Sequence, residues 1–207
     1  MPKATAELIE RRRNEIVDAC EKIYREKGFC AVTIKEISSE TSFTRPAIYN
    51  YYETKDEILL DLLIREYEKW IEDIEKVSAK AGGMKRDELA KALAGTLAER
   101  EILLRIQNMN LYEIEINSRV ERLADFKLRY KRSAEIIGEI LKKAYPDSVD
   151  EWACDFGVTF AAVLLGIYPF ANHTEKQAEA MKLAGMQFEE MPLTEIIAKA
   201  LRLMLPQ

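Results

Sequence analysis

The sequence predicts an all-α protein, with a compact N-terminal three-helix helix-turn-helix followed by a C-terminal helical bundle, about nine helices in total. Three observations predict it. Apolar residues recur at helical spacing, as in Ile58, Leu59, Leu62, Leu63, Tyr67, Trp70, Ile71 and Ile74. Serine or threonine followed three residues later by Glu or Gln occurs at Thr33, Thr54, Ser118, Ser148 and Thr174, the signature of a capped helix start. Eight glycines and six prolines in 207 residues leave few breakers, while Ala, Leu, Ile, Glu and Lys favour helix. No strand pattern, internal repeat or low-complexity segment is visible.

Residues 8–27 form the first helix, with Ile16, Cys20, Ile23 and Tyr24 on one face and Gly28 as its stop. Residues 33–57 then read as two very short helices joined by a tight turn, followed by the capped start of a long one. Thr33-x-x-Glu36 opens the first, and Ile34 and Ile37 give it an apolar side. Thr41-Ser42-Phe43 breaks it, with Phe43 available as a plug between the two helices. Thr44 caps the second, which carries Arg45 and Pro46 in its first turn, where the missing proline N–H costs little. A helix of that size and placement fits a DNA major groove.

From Lys55 a long helix runs to about residue 79, and Gly82-Gly83 is the clearest linker. Helices are expected over 85–98, 100–115 and 118–144, the last ended by Pro146. A further one covers 151–168, a short one starts at Thr174, and the last spans about 193–205. Residues 156–171 are almost wholly apolar, yet fall short of the roughly 20 needed to cross a bilayer. A helix apolar on every side must be covered on every side, and a chain this short suggests a second subunit as the cover, with Ile196, Ile197, Ala200, Leu201 and Met204 joining it.

Composition is that of a globular chain: 48% hydrophobic and 32% charged residues. The net charge of −5 looks unfavourable for a DNA-binding protein. Residues 1–48 nevertheless carry nine Lys/Arg against eight Asp/Glu, so the acidity lies in the remainder. The N-terminus shows no apolar segment behind its charges, and Cys20, Cys30 and Cys154 form no framework; a cytoplasmic location with reduced thiols is expected.

Thr33-Ile-Lys-Glu-Ile, Phe43-Thr-Arg-Pro-Ala-Ile-Tyr-Asn-Tyr-Tyr and Lys55-Asp-Glu-Ile-Leu, with Gly28-Phe29 ahead of them, resemble the DNA-binding domain of TetR-type transcriptional regulators. The close resemblance covers roughly residues 10–60. One departure is Ser42, where the family usually has glycine; serine implies a less left-handed turn. The resemblance implies a DNA-binding domain over 1–54, and a ligand-binding and dimerisation domain over 55–207. It further implies a homodimer built on the last two long helices of each subunit, and a double-stranded operator as partner.

Arg45 is the one long cation on the second short helix, suited to a guanine edge or a phosphate. Asn50 suits an adenine edge, and Tyr49 and Tyr51 carry hydroxyls that can reach phosphates, although an aromatic mini-core explains tyrosines equally well. Lys55 sits on a helix N-terminus, whose free N–H groups also welcome phosphate. In the family, positions matching Thr33, Tyr49, Tyr51 and Lys55 touch the DNA backbone; Thr44 completes the expected set. Arg11-Arg12-Arg13 reads as a solvated basic run within reach of a flanking phosphate.

Residues 55–170 hold many aromatic and sulphur-bearing side chains, which usually mean plain core. In TetR-type proteins the equivalent bundle encloses an apolar cavity for a small effector. The resemblance therefore implies a pocket drawing on Met109, Tyr112, Phe126, Tyr130 and Phe160, anchored by Arg105, Asn108 or Asn110, for an apolar or amphipathic molecule. No cofactor or metal is expected, since His173 is the only histidine. Enzymatic chemistry finds no support: no phosphate-cradling glycine loop is present, and Glu113 and Glu115 lie on different sides of a helix. The reading is a ligand-responsive regulator, with a repressor favoured. The alternative is a helical protein-interaction module whose helix-turn-helix does not read DNA.

Overall fold

A computed structural model describes residues 6–148, 150–186 and 191–206. Among them are twelve α-helices, one short 3-10 turn (Phe29–Ala31) and no strand. The chain divides into two compact units, Met1–Arg65 with Asn110–Arg129, and Glu66–Met109 with Tyr130–Gln207.

The first unit contains α1 (Ala6–Lys27), α2 (Ile34–Ser39), α3 (Arg45–Ile48), the first half of α4 (Lys55–Ser78), α7 (Leu111–Ile116) and the start of α8 (Val120–Ala144). The expected face of α1 is buried: Ile16, Cys20, Ile23 and Tyr24. Gly28 ends that helix at φ 79, a conformation that strains any residue with a Cβ. Ile37 of α2, Ile48 of α3 and Tyr52 complete the interior. Thr33 accepts from the Glu36 amide at 3.1 Å, as its position foretells. Thr44 is the N-cap of α3 without a side-chain capping bond.

The sequence places a domain boundary at 54/55, but the unit carrying the helix-turn-helix runs on to Arg65 and takes in Asn110–Arg129. Long-range polar contacts explain the extension. Glu57, fully buried, receives Arg119 Nε at 2.6 Å and Nη2 at 2.9 Å, and the Glu53 amide at 2.9 Å. Asp61 is bound by Arg122 and, at 2.6 Å each, by Arg13 and the Tyr52 hydroxyl. Thr54 donates to the Asn117 carbonyl at 3.0 Å, and Tyr24 to Asn110 at 2.9 Å. Ser118 does not cap α8 as expected; its hydroxyl turns back to the Ile114 carbonyl at 2.7 Å and closes α7. Burial works against ionisation of Glu57, but the bonds from Arg119 and two amides hold its carboxyl below the ordinary value.

The second unit holds the rest of α4 and α8, with α5 (Arg86–Ala98), α6 (Glu101–Met109), α9 (Asp150–Leu164), α10 (Ile167–Ala171), α11 (Glu175–Leu183) and α12 (Leu193–Met204). Its main packing sets α12 on α5, with α10 against α6 and α12. Trp70 donates to Thr96 at 3.1 Å, and Arg100 pairs with Asp73 at 2.5 Å. Gly83 turns the linker at φ 80, and Thr174 and Gln177 form the capping box the spacing promised.

Twelve helices stand where about nine are expected; two of the additions come from expected helices that are each split. The stretch 100–115 breaks at Asn110, whose ψ of −8° departs from the helix, giving α6 and α7. The stretch 151–168 stops at Leu164 and restarts at Ile167. Asn108 fills that second gap. Its amide donates to the Leu164 carbonyl at 2.7 Å and accepts from the Tyr168 amide at 3.1 Å, satisfying one orphan group of each helix end. Among the described residues no helix is long and apolar enough to cross a membrane.

Candidate nucleic-acid interface and interior cavity

α3 is only four residues long, and its one buried side chain is Ile48. That single apolar anchor leaves Thr44, Arg45, Tyr49 and Asn50 exposed on the same short segment. The turn before it contains no left-handed residue at Ser42; among the described residues none other than glycine has a positive φ. Glu15 of α1 instead holds the turn, accepting from the Ser42 amide at 2.7 Å, which also keeps its own carboxyl below the usual range. Phe43, half-buried, meets Tyr51 edge-on, with ring centroids 6.3 Å apart.

Arg12 lies over the Phe43 ring at 6.0 Å and donates to the Tyr51 hydroxyl at 3.2 Å. A phenol that accepts from a guanidinium keeps its own proton to donate, and the guanidinium keeps further N–H groups, so the pair presents several donors. Arg13 is spent inward on Asp61 and Tyr52. Burial and the neighbouring Asp61 push the Tyr52 phenol up, so it is a neutral donor in the core. Lys55, half-buried, stacks its ammonium 3.9 Å above the Phe29 ring and reaches Asp56 at 3.2 Å. Thr33 is exposed at the start of α2.

The second unit contains a cavity of about 90 Å³ lined by side chains of α4, α6, α8 and α9. Tyr67 and Trp70 meet edge to face at 5.8 Å along one wall, and Gln107, Tyr130, Ser133 and Phe160 are among the other walls. Gly138 of α8 and Gly157 of α9 also line it, and a Cβ built at either meets nothing within 4 Å. No Asp, Glu, Lys, Arg or His is among the lining residues. The Tyr67 hydroxyl donates to Gln107 Oε1 at 3.2 Å.

Residues 16–62 match the family model of bacterial regulatory proteins, tetR family, and residues 64–206 match that of the tetracyclin repressor-like C-terminal domain. The chain belongs to the TetR family. A curated relative is YfiR, an uncharacterized HTH-type transcriptional regulator of Bacillus subtilis, 27% identical over 75 residues. That match covers 36% of this chain, and the chain spans 37% of the length of YfiR. Among solved structures, a TetR/AcrR-family transcriptional regulator from Thermobifida fusca aligns with a TM-score of 0.63 at 21% identity, over 94% of this chain and 96% of its own. Thermus thermophilus FadR, a TetR-family repressor solved in complex with lauroyl-CoA, aligns with a TM-score of 0.58 at 23% identity over 93% of each chain. At such identities these likenesses establish the TetR fold.

The expected site residues are distributed unevenly. Thr44, Arg45, Tyr49, Asn50 and Tyr51 share one segment, with Thr33 and Lys55 at the starts of α2 and α4. Of the six expected effector residues, Tyr130 and Phe160 line the cavity, whereas Arg105, Met109, Tyr112 and Phe126 do not. Met109 and Tyr112 are 57% and 81% exposed, and Phe126, although buried, belongs with Tyr112 to the first unit. Asn108 and Asn110 are engaged elsewhere, Asn108 at the α9–α10 break and Asn110 by Tyr24. The split at Asn110 separates Tyr112 from α6, and on α6 itself the buried side that reaches the cavity carries Gln107, while Met109 is exposed. Sequence reasoning named Arg12 only as part of a basic run near a flanking phosphate, without its Tyr51 partner, and passed over Gln107. Neither carries a motif; their partners lie 39 and 40 residues away.

Proposed function

We propose that this TetR-family chain is a homodimeric, sequence-specific DNA-binding regulator whose operator affinity is set by a small, apolar effector. The observation that carries the reading is the exposed row Arg45, Tyr49 and Asn50 on a segment anchored by one buried isoleucine, beside the Arg12–Tyr51 donor pair. Arg45 and Asn50 are assigned to base edges; Thr33, Thr44, Tyr49, Tyr51, Lys55 and Arg12 are assigned to phosphates. The protein-interaction alternative lacks an argument for concentrating phosphate donors on this face.

Support for the dimer comes from α9, where Cys154, Val158 and Ala162 are exposed along one side, and from Leu165, exposed just past its end. Phe170 of α10 and Leu203 of α12 are also exposed, the latter by 89%. A second copy of the chain is the occupant assigned to these surfaces, with two-fold symmetry.

The effector is assigned to the cavity of the second unit. The lauroyl-CoA held by Thermus thermophilus FadR is one example of a partly apolar ligand in a related fold. The cavity here is smaller than the roughly 150 Å³ that admits benzene elsewhere, so a larger effector must widen it. Helices α4 and α8 are continuous and supply residues to both features: Tyr67, Trp70, Tyr130 and Ser133 at the cavity, and Asp61, Arg119 and Arg122 in the first unit. Displacing either helix therefore changes the support of Tyr52, just past α3. Selection of bound duplexes from a random library tests the reading. A pseudo-palindromic consensus is expected, and retention of random duplexes without enrichment would reject it.

A further inference from the structure

We propose that the ligand of the second-unit cavity is uncharged and carries a carbonyl-type oxygen, which the side-chain amide of Gln107 reads. The inference rests on the reading of this cavity as the effector site and specifies the chemistry it selects.

Charge is the first constraint. The lining holds no ionisable group other than tyrosine. Burial pushes the Tyr67 phenol up, so it stays neutral. A carboxylate or ammonium placed here would lose part of its water and gain no counter-ion, a loss that an apolar wall does not offset.

Hydrogen-bond accounting supplies the second. Trp70 Nε1 is spent on Thr96, the Ser133 hydroxyl on the carbonyl of Tyr130, and the Tyr67 hydroxyl on Gln107 Oε1. Gln107 is 5% exposed, and its Oε1 accepts from the Tyr67 hydroxyl, which turns Nε2 the other way. Among the described residues Nε2 donates to no acceptor, and it is not among the enclosed atoms lacking a partner, so it faces free space. The free space beside Gln107 is the cavity. A buried amide with unspent N–H groups favours a ligand that brings an acceptor, because a hydrocarbon would leave them unpaired. Ketones, esters and amides meet both constraints.

The test is calorimetric titration of the full chain at neutral pH with three probes of similar size: cyclohexanone, its hydrocarbon isostere methylenecyclohexane, and cyclohexanecarboxylate. Cyclohexanone is expected to bind about three- to ten-fold more tightly than the isostere, the effect of one net hydrogen bond, with no binding of the carboxylate. Gln107→Leu should equalise ketone and isostere while keeping both; Gln107→Met serves if that variant does not fold. Gly138→Ala, which projects a methyl into the cavity without a clash, should weaken both neutral probes. Equal binding of ketone and isostere to the native chain overturns the role of Gln107 and leaves the effector site standing. Tightest binding by the carboxylate overturns the uncharged class. No binding of any probe to the folded chain overturns both the inference and the cavity as effector site.

Discussion

Arg45 and Arg12 are both arginines of the first unit, yet their surroundings assign them different work. Arg45 projects from the first turn of α3 with Pro46 beside it, exposed and free to meet a base edge. Its replacement by alanine is expected to cost about 1–3 kcal/mol on the selected operator and to relax preference at one position per half-site. Fluorescence anisotropy on matched and mutated duplexes measures this; equal loss on random DNA would move Arg45 to the phosphate class. Arg12 is held by Phe43 and Tyr51, a geometry for phosphate. Arg12→Ala should weaken binding to all duplexes alike and reduce the salt slope by about one. Glu57 belongs to the same scale but acts on stability. Its folded-state carboxyl lies below the unfolded value, so its contribution is present above the unfolded value and is lost as pH falls through the folded one. Glu57→Gln should lower stability by about 1–3 kcal/mol at neutral pH, discounted for the partial exposure of Arg119, and by less in acid. Chemical denaturation at both pH values checks the sign.

At the scale of elements, the apolar helix α9 has two sides with different fates. Leu164 is buried within its own chain and lines the cavity, whereas Val158 and, just past the helix end, Leu165 are 69% and 48% exposed. Val158→Arg or Leu165→Arg should therefore dissociate the proposed dimer while leaving the protomer folded, because the charge would be desolvated only where a second copy covers it. Leu164→Arg should instead unfold the second unit. Sedimentation and circular dichroism together separate the two outcomes, and an unchanged dimer in both outward variants would place the subunit contact elsewhere. The break between α9 and α10 is equally specific. Asn108→Ala would leave the Leu164 carbonyl and the Tyr168 amide without their partner, at a cost of about 1–3 kcal/mol.

For the whole molecule, a symmetric dimer should read two half-sites about 34–36 Å apart or somewhat further, which makes the operator a pseudo-palindrome. To empty a well-occupied operator, the effector must favour the released state by a factor on the order of 10³–10⁴. Gly157→Ala is the gentlest way to uncouple that response. It replaces a helical glycine, where alanine is favoured by roughly 0.5–1 kcal/mol, and its methyl meets no atom within 4 Å. The variant should bind the selected operator within a few-fold of the native chain while losing release by any effector identified from co-purified material. Loss of operator affinity itself in a folded protein would show that Gly157 serves packing and not the cavity.

Helix starts, the helix-turn-helix and the family were legible in the sequence because each rests on short-range chemistry. Thr33 caps Glu36 three residues on, Gly28 supplies a left-handed stop, and Thr174 and Gln177 close a box within one turn. Such features are set by neighbours along the chain, whatever the rest of it does. The exposed row on α3 follows from the same rule, since a four-residue helix with one apolar anchor can bury little else. Tertiary structure decided what depends on distant partners. The unit boundary moved to Arg65 because Glu57 and Asp61 found Arg119 and Arg122 some sixty positions away. The cavity took Tyr67, Gln107 and Gly138 in preference to Met109 and Tyr112: Gln107 and Met109 share α6, but Gln107 is on its buried side and Met109 is exposed, while Tyr112 lies beyond the break at Asn110. Sequence periodicity identifies an apolar face, but only packing determines whether that face meets its own chain, a second copy or a cavity.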